Sequence, residues 1–342
     1  MKTLAILLFA AVGFAQNGPP NVTNARLEVR AFSGELAPQM RAVSPTWFGY
    51  AVKTARADHE SCCWENSSRS GCWLEGDRTG AIIGTRPNNP VQLEGSDEIA
   101  ILFRVENNVV EKVQVYSLTC PLDAGGLPFV WLTGVPANAS LAYLEKLVKN
   151  NSSDHLTDGA IFAIAQHDDP QADSILERLA QPSQPENVRE KVSFWLGTSR
   201  GARGVEILKN MLAGDPSEQV RDKVIFALSI SKQPEALNSL IQAAKADSSP
   251  HVRGQAIFWL AQKAGKRASA TIIDAIENDP DTQVKKRAVF ALSQLPRDEG
   301  VPKLIEVARS QKNPEVRKQA FFWLGQSHDP RALAFIEEIL AK

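Results

Sequence analysis

Histidine is scarce in this chain, five in 342 residues, and His59, His155, His167, His251 and His328 are scattered, with no nucleophile paired to any of them. No catalytic set emerges, so neither catalytic residues nor a cofactor are expected. An excess of one charge is missing too. The 38 Lys and Arg stand against 39 Asp and Glu, which argues against nucleic acid as a partner. Beyond the first fourteen residues no stretch approaches the ~20 apolar residues that a membrane helix needs. Cysteine is absent after Cys120, and the four present, Cys62, Cys63, Cys72 and Cys120, all lie in the first half.

What is there begins with Met1-Lys2, an apolar run from Leu4 to Phe14, and small residues around Gly13 and Ala15. That is the pattern of a secretory signal peptide over residues 1–15, cleaved after Ala15. No cysteine follows at the cleavage region, so a lipoprotein anchor has no attachment point. The mature chain is expected to be exported, periplasmic or extracellular. In such an oxidising compartment an even number of cysteines favours two disulfides over a metal site built on His59, Cys62, Cys63 and Cys72. A bond between the adjacent Cys62 and Cys63 would strain the backbone, so each is expected to pair with either Cys72 or Cys120. Sequons at Asn21, Asn66, Asn138 and Asn151 matter only where the host glycosylates exported chains.

Residues 16–139 read as a small α+β domain. Ala25 to Phe32 alternates weakly, Gly34 to Val43 suits a short helix, and Trp47 to Val52 reads as a strand. Ile99 to Val105 and Val109 to Tyr116 flank Glu106-Asn107-Asn108 as a hairpin. Cys62 to Asn89, rich in Gly, Ser, Asn and Arg, reads as a long loop tied by a disulfide. The glycine pair in Asp123-Ala124-Gly125-Gly126-Leu127-Pro128 could cradle an anion, although Gly-Gly before Pro is more often a turn.

Residues 140–342 carry a pattern that returns every 32 residues without insertion. Leu156, Val188, Val220, Val252, Val284 and Val316 each open a segment whose seventh residue is Phe, at Phe162, Phe194, Phe226, Phe258, Phe290 and Phe322. A second series, Leu144, Leu176, Leu208, Leu240, Ile272, Leu304 and Ile336, marks another helix per unit. A fixed interval of this kind means stacked helix pairs. Pro170, Pro234 and Pro330 suit the first turn of the first helix, where an amide would be orphaned anyway. Polar turns such as Asp215-Pro216-Ser217 open the second.

The segments Val220-Arg221-x-x-Val224-x-x-Ala227-Leu228, Val252-Arg253-x-x-Ala256 and Val316-Arg317-x-x-Ala320 resemble short bacterial HEAT-like repeats, the type also seen in phycobilin lyases. The resemblance implies an all-α right-handed solenoid of HEAT-like helix pairs behind the α+β domain, and a protein-binding scaffold more often than an enzyme. The Cys62-Cys63 pair, the Asp123-Ala-Gly-Gly turn and Trp131-Leu132 look like the front domain of exported bacterial HEAT-repeat proteins.

On a helical wheel the Val, small and Leu positions of the second helix fall at about 0°, 40° and 80°, facing the first helix. The repeated Phe falls at about 240°, nearly opposite, on what is the concave surface of a two-helix solenoid. Beside it lie Gln166, Gln262, Gln294 and Gln326, and the cations Lys191, Lys223 and Arg287. Trp195, Trp259 and Trp323, alternating with Ala163, Ala227 and Ala291, suit packing between units. Arg189, Arg221, Arg253 and Arg317 border the core and are assigned to bridging repeats. The leading expectation is a non-enzymatic scaffold whose Phe, Gln and Lys/Arg face takes a protein or peptide, with Phe rings holding apolar side chains and amides bonding the backbone. Three alternatives accompany it: the rings stack only on one another, the groove holds a flat hydrophobic chromophore as in a lyase or chaperone, or it stacks sugars.

Overall fold

A computed structural model describes residues 18–56, 59–65, 68–76, 82–85, 97–150 and 152–341. The expected signal peptide and the sequons at Asn66 and Asn151 lie outside the described residues, as does the side chain of His59. Two compact units divide the chain between Lys146 and Leu147.

The front unit runs β1 (Val22–Thr23), β2 (Arg26–Ala31), α1 (Leu36–Gln39), β3 (Thr46–Lys53), β4 (His59–Glu65), β5 (Ser68–Ser70), β6 (Cys72–Trp73), β7 (Ile82–Thr85), β8 (Glu98–Glu106), β9 (Val109–Ser117), β10 (Leu122–Asp123) and β11 (Pro128–Thr133). Its main sheet has the order β2-β11-β3-β8-β9, parallel at β2/β11/β3 and antiparallel beyond. The expected β8–β9 hairpin closes through Asn107 and Asn108 at φ +52° and +62°, the left-handed pair that a two-residue hairpin turn requires and Asn tolerates. Where a long loop was expected after Cys62, the structure has β4 to β7 in short pairings. Strands of two to seven residues are too short and too polar to show a period of two.

Successive side chains on a strand point to opposite faces, so the neighbours Cys62 and Cys63 reach different partners. Cys62 bonds Cys120 and Cys63 bonds Cys72, with Cα separations of 5.5 and 5.2 Å. Cys62, Cys72 and Cys120 lie within a buried cluster with Trp47, Leu102, Phe129 and Trp131. The Gly125-Gly126 segment is a turn with both residues at positive φ, and the Asp123 carboxylate accepts the Gly125 amide at 2.9 Å.

The helices are α2 (Ala137–Asn150), α3 (Asp154–Gln166), α4 (Pro170–Leu179), α5 (Glu186–Ser199), α6 (Gly201–Gly214), α7 (Glu218–Ile230), α8 (Glu235–Ala246), α9 (Pro250–Ala264), α10 (Ser269–Asn278), α11 (Thr282–Ser293), α12 (Arg297–Ser310), α13 (Pro314–Gln326) and α14 (Pro330–Leu340). The second helix opens on a repeated cap in every pair but that of α5, which starts after Pro185. Ser153, Ser217, Ser249, Asp281 and Asn313 each accept an amide of the following turn, satisfying donors that a helix start leaves free. Pro170 and Pro330 stand at the first helical position as expected, whereas Pro234 is the residue before it.

Along each second helix the Val, small and Leu positions, such as Val220, Val224 and Leu228, are wholly buried. Each such Leu stabilises the fold by roughly 2 kcal/mol. The second helices pack against one another far more extensively than the first helices do. Second helices therefore form the inner row of the array and first helices the outer row.

Candidate binding surface on the inner helices

The repeated Phe positions point away from the core, as the wheel predicts. Phe162, Phe226, Phe258 and Phe290 are half-buried, and Phe194 and Phe322 are 37% and 54% exposed. They do not stand apart. Phe162 stacks on Trp195 at 4.2 Å between ring centres, Trp195 touches Phe194 edge-on at 4.8 Å, and Phe194 stacks on Phe226 at 6.4 Å. The same order continues through Trp259 (5.3 Å), Phe258 (5.0 Å), Phe290 (6.1 Å), Trp323 (4.9 Å) and Phe322 (5.0 Å). Nine rings form one unbroken row across six inner helices. Stacking between repeats and partial exposure thus hold together, and the tryptophans, read from sequence as packing residues, belong to the same row.

The alternation of Trp and Ala has a geometric cause. Where Ala227 or Ala291 faces the preceding helix, the helices come close and Phe stacks directly on Phe. At the first of these contacts a Cβ on Gly197 would lie 2.5 Å from the Ala227 carbonyl oxygen. Where Trp195, Trp259 or Trp323 faces the preceding helix, the indole fills a wider gap between Phe rings. The structural period is therefore two repeats, 64 residues.

Polar groups edge the row. Trp195 donates its indole N–H to Asp158 at 3.3 Å, while the buried indole nitrogen of Trp323 has no partner among the described residues. Gln262, Gln294 and Gln326 are exposed, but Gln166 is buried and donates to Ser199 at 3.2 Å. Of the three cations, Lys223 is exposed. Lys191 lies 3.5 Å from Asp154, and Arg287 reaches the His251 carbonyl at 3.2 Å, so both also tie one repeat to the one before.

Three of the four arginines next to the core bridge repeats. Arg189, Arg221 and Arg253 each make a two-pronged bond to Asp215, Asp247 and Asp279, with Nε–O distances of 2.7, 2.9 and 2.7 Å. Each aspartate also accepts an amide two residues on. The fourth position of the series has Lys285 and Gln311 instead. Removing one partner of a buried ion pair strands the other, so the two change together. Gln311 keeps the aspartate's local role, accepting the Asn313 amide at 3.3 Å. Arg317, the last of the four, departs from the expectation: among the described residues it bonds only the carbonyls of Gln311 and Lys312 in its own repeat, at 2.7 and 2.9 Å, and bridges no repeats. Burial pushes Asp279 up, but the Arg253 and Asp281 hydrogen bonds outweigh it and hold the carboxyl below its usual range.

Histidines take ordinary places. His167 is buried, with its Nδ1–H donating to the Ala163 carbonyl at 2.7 Å, and burial lowers its pKa to about 4. His251 lies 3.5 Å from Asp222, and His155 and His328 are exposed. Among the described residues no group of three or more His, Cys, Asp or Glu is placed to hold a metal ion, and all four cysteines are in disulfides.

Residues 173–261 and 269–342 match the family model of HEAT repeats. The helical region is a HEAT-repeat array. Among curated proteins none matches the chain. Similar solved structures include human deoxyhypusine hydroxylase, at 21% identity over 60% of this chain and 78% of that one, TM-score 0.26. The CpcE–CpcF complex of phycocyanin lyase from Nostoc sp. is 24% identical over 45% of this chain and 99% of that one, TM-score 0.35. Kap95p, in a complex with RanGDP, is 17% identical over 60% of this chain and 32% of its own, TM-score 0.41. Likeness of this degree carries nothing about activity or partner.

Proposed function

We propose that the chain is a non-enzymatic scaffold whose HEAT-repeat array binds a protein partner through an extended segment laid along the inner helices. The observation that carries this reading is the row of Phe and Trp rings left partly open to solvent in every repeat. Contiguous exposed apolar surface marks interaction sites. Stacked rings form a rigid apolar floor, and the exposed amides of Gln262, Gln294 and Gln326 are suited to bonding a peptide backbone along its edge. Lys223, Lys191 and Arg287 add positive charge beside it. A flat chromophore fits this surface less well, because ring separations of 4.2 to 6.4 Å leave no slot between neighbours. An extended chain lies over the row without displacing any ring.

Export is part of the same proposal. Two disulfides form and persist in oxidising compartments, and no helix among the described residues is long and apolar enough to cross a membrane. The test is selection of random displayed peptides on the immobilised protein, followed by titration of the selected sequences against Phe194→Ser and Phe322→Ser, the two most exposed rings. Apolar peptides that bind the wild type and lose at least ~10-fold in affinity, or about 1.4 kcal/mol, support the proposal. Selection of nothing, or of peptides indifferent to both substitutions, refutes it.

A further inference from the structure

Strand β2 ends the main sheet, with β11 on one side and no strand of the described residues on the other. Just past its end the Phe32 amide donates to the Thr133 carbonyl at 2.8 Å. Backbone groups along a strand point alternately to its two sides, so the N–H and C=O of residues 28 and 30 face β11. Those of Leu27, Val29 and Ala31 face outward. All six residues of β2 are exposed. An open edge of this kind is usually blunted by charges, Pro or a bulge. Strand β2 has no Pro and no bulge, its register with β11 being continuous from Arg26 to Ala31, and its charges, Arg26, Glu28 and Arg30, all stand on one face and include both signs.

The side chains form two distinct faces. Leu27 and Val29, 46% and 54% exposed, lie in register beside Phe129 and Trp131, so they extend the apolar face that covers the disulfides. Glu28 and Arg30 stand on the opposite face and pair with each other at 2.6 Å.

We propose that β2 pairs antiparallel with β2 of a second copy of this chain, about a two-fold axis at Val29, joining two five-stranded sheets edge to edge. Outward-facing backbone groups on odd residues restrict the possible registers. Pairing Leu27 with Val29 sets Glu28 against Glu28 and Arg26 against Arg30. Pairing Val29 with Ala31 sets Arg30 against Arg30. Pairing Val29 with Val29 sets each Glu28 opposite the other copy's Arg30, at the positions where side chains approach closest. It also places Leu27 opposite Ala31, continuing the apolar face across the axis. Pairing Leu27 with Leu27 also sets Arg26 against Glu28, but it overlaps only three residues of β2, whereas the two-fold at Val29 overlaps five. Hydrogen-bond direction, charge and strand overlap together therefore select that register.

Sedimentation velocity of the full oxidised chain, followed to millimolar concentration, tests this. The wild type should form a reversible dimer. Val29→Pro, which removes an outward amide and leaves the β11 ladder intact, should be monomeric. Glu28→Arg alone and Arg30→Glu alone should each weaken association about tenfold or more, since two cross-strand pairs change from attraction to repulsion. Both substituted side chains are exposed and face solvent, so folding is preserved and near-UV circular dichroism checks it. An equimolar mixture of the two single variants should dimerise again, as should the double variant. A wild type that stays monomeric, or a dimer unaffected by Val29→Pro, or single charge variants whose mixture fails to re-associate, overturns the proposal.

Discussion

At the scale of single residues, Phe258 tests how the aromatic row is held. Its ring packs on Trp259 and Phe290 yet stays half-buried. Truncation to Ala should cost roughly 1–2 kcal/mol in urea unfolding, between a surface change and a core cavity. A loss of 3 kcal/mol or more would make the ring core. His167 makes a second prediction. The folded state keeps its ring neutral with a pKa of about 4, while the unfolded chain protonates near 6.5, so the unfolded state binds the extra proton between these values. Stability is therefore fully present above pH 6.5 and declines as pH falls toward about 4, by roughly 3 kcal/mol. His167→Gln should remove that slope from a series of urea midpoints. Asp169 and Arg200 are the charges facing the ring, and their opposite influences leave burial as the main cause. The orientation of the Phe rings was legible in the 32-residue pattern, because residue spacing fixes direction around a helix. Their stacking was not, since ring-to-ring distance depends on how closely neighbouring helices approach.

At the scale of elements, three inner helices, α5, α7 and α9, are each fastened to the next repeat by one arginine and one aspartate. Arg221→Met should destabilise the array by about 3 kcal/mol because it leaves Asp247 buried and unpaired, whereas Arg221→Met with Asp247→Asn should recover much of the loss. A double-mutant cycle in urea measures this, and strict additivity would contradict it. The aspartates and arginines were visible as repeated positions, and the bridging role of Arg189, Arg221 and Arg253, though not of Arg317, followed from the wheel. The paired loss at Lys285 and Gln311 becomes meaningful only once the spatial partners are known, 26 residues apart in the intact bridges. Gly197→Val should be disruptive for another reason: its Cβ would run into the Ala227 carbonyl at 2.5 Å. The short strands after Cys62 escaped the sequence because their pairing depends on disulfides and distant partners rather than on any local alternation.

At the scale of the whole molecule, two units rest on different physics. The helical array draws on nearest-neighbour packing. The front unit adds disulfides, of which Cys62–Cys120 closes a 58-residue separation and contributes roughly 4 kcal/mol by restricting the unfolded chain. Reduction should lower the unfolding midpoint seen by near-UV signals of the front-unit aromatics while far-UV helical signal persists to the original denaturant concentration. The central claim, that the inner aromatic row is a binding surface for an extended segment, is tested most directly by titration calorimetry of a selected peptide against the wild type and the Phe194→Ser, Phe322→Ser double variant. A loss of binding in a variant that still unfolds cooperatively, at a midpoint lowered only by its lost ring contacts, is the predicted result. Equal affinity for both proteins would contradict it and leave the row a device for holding repeats together.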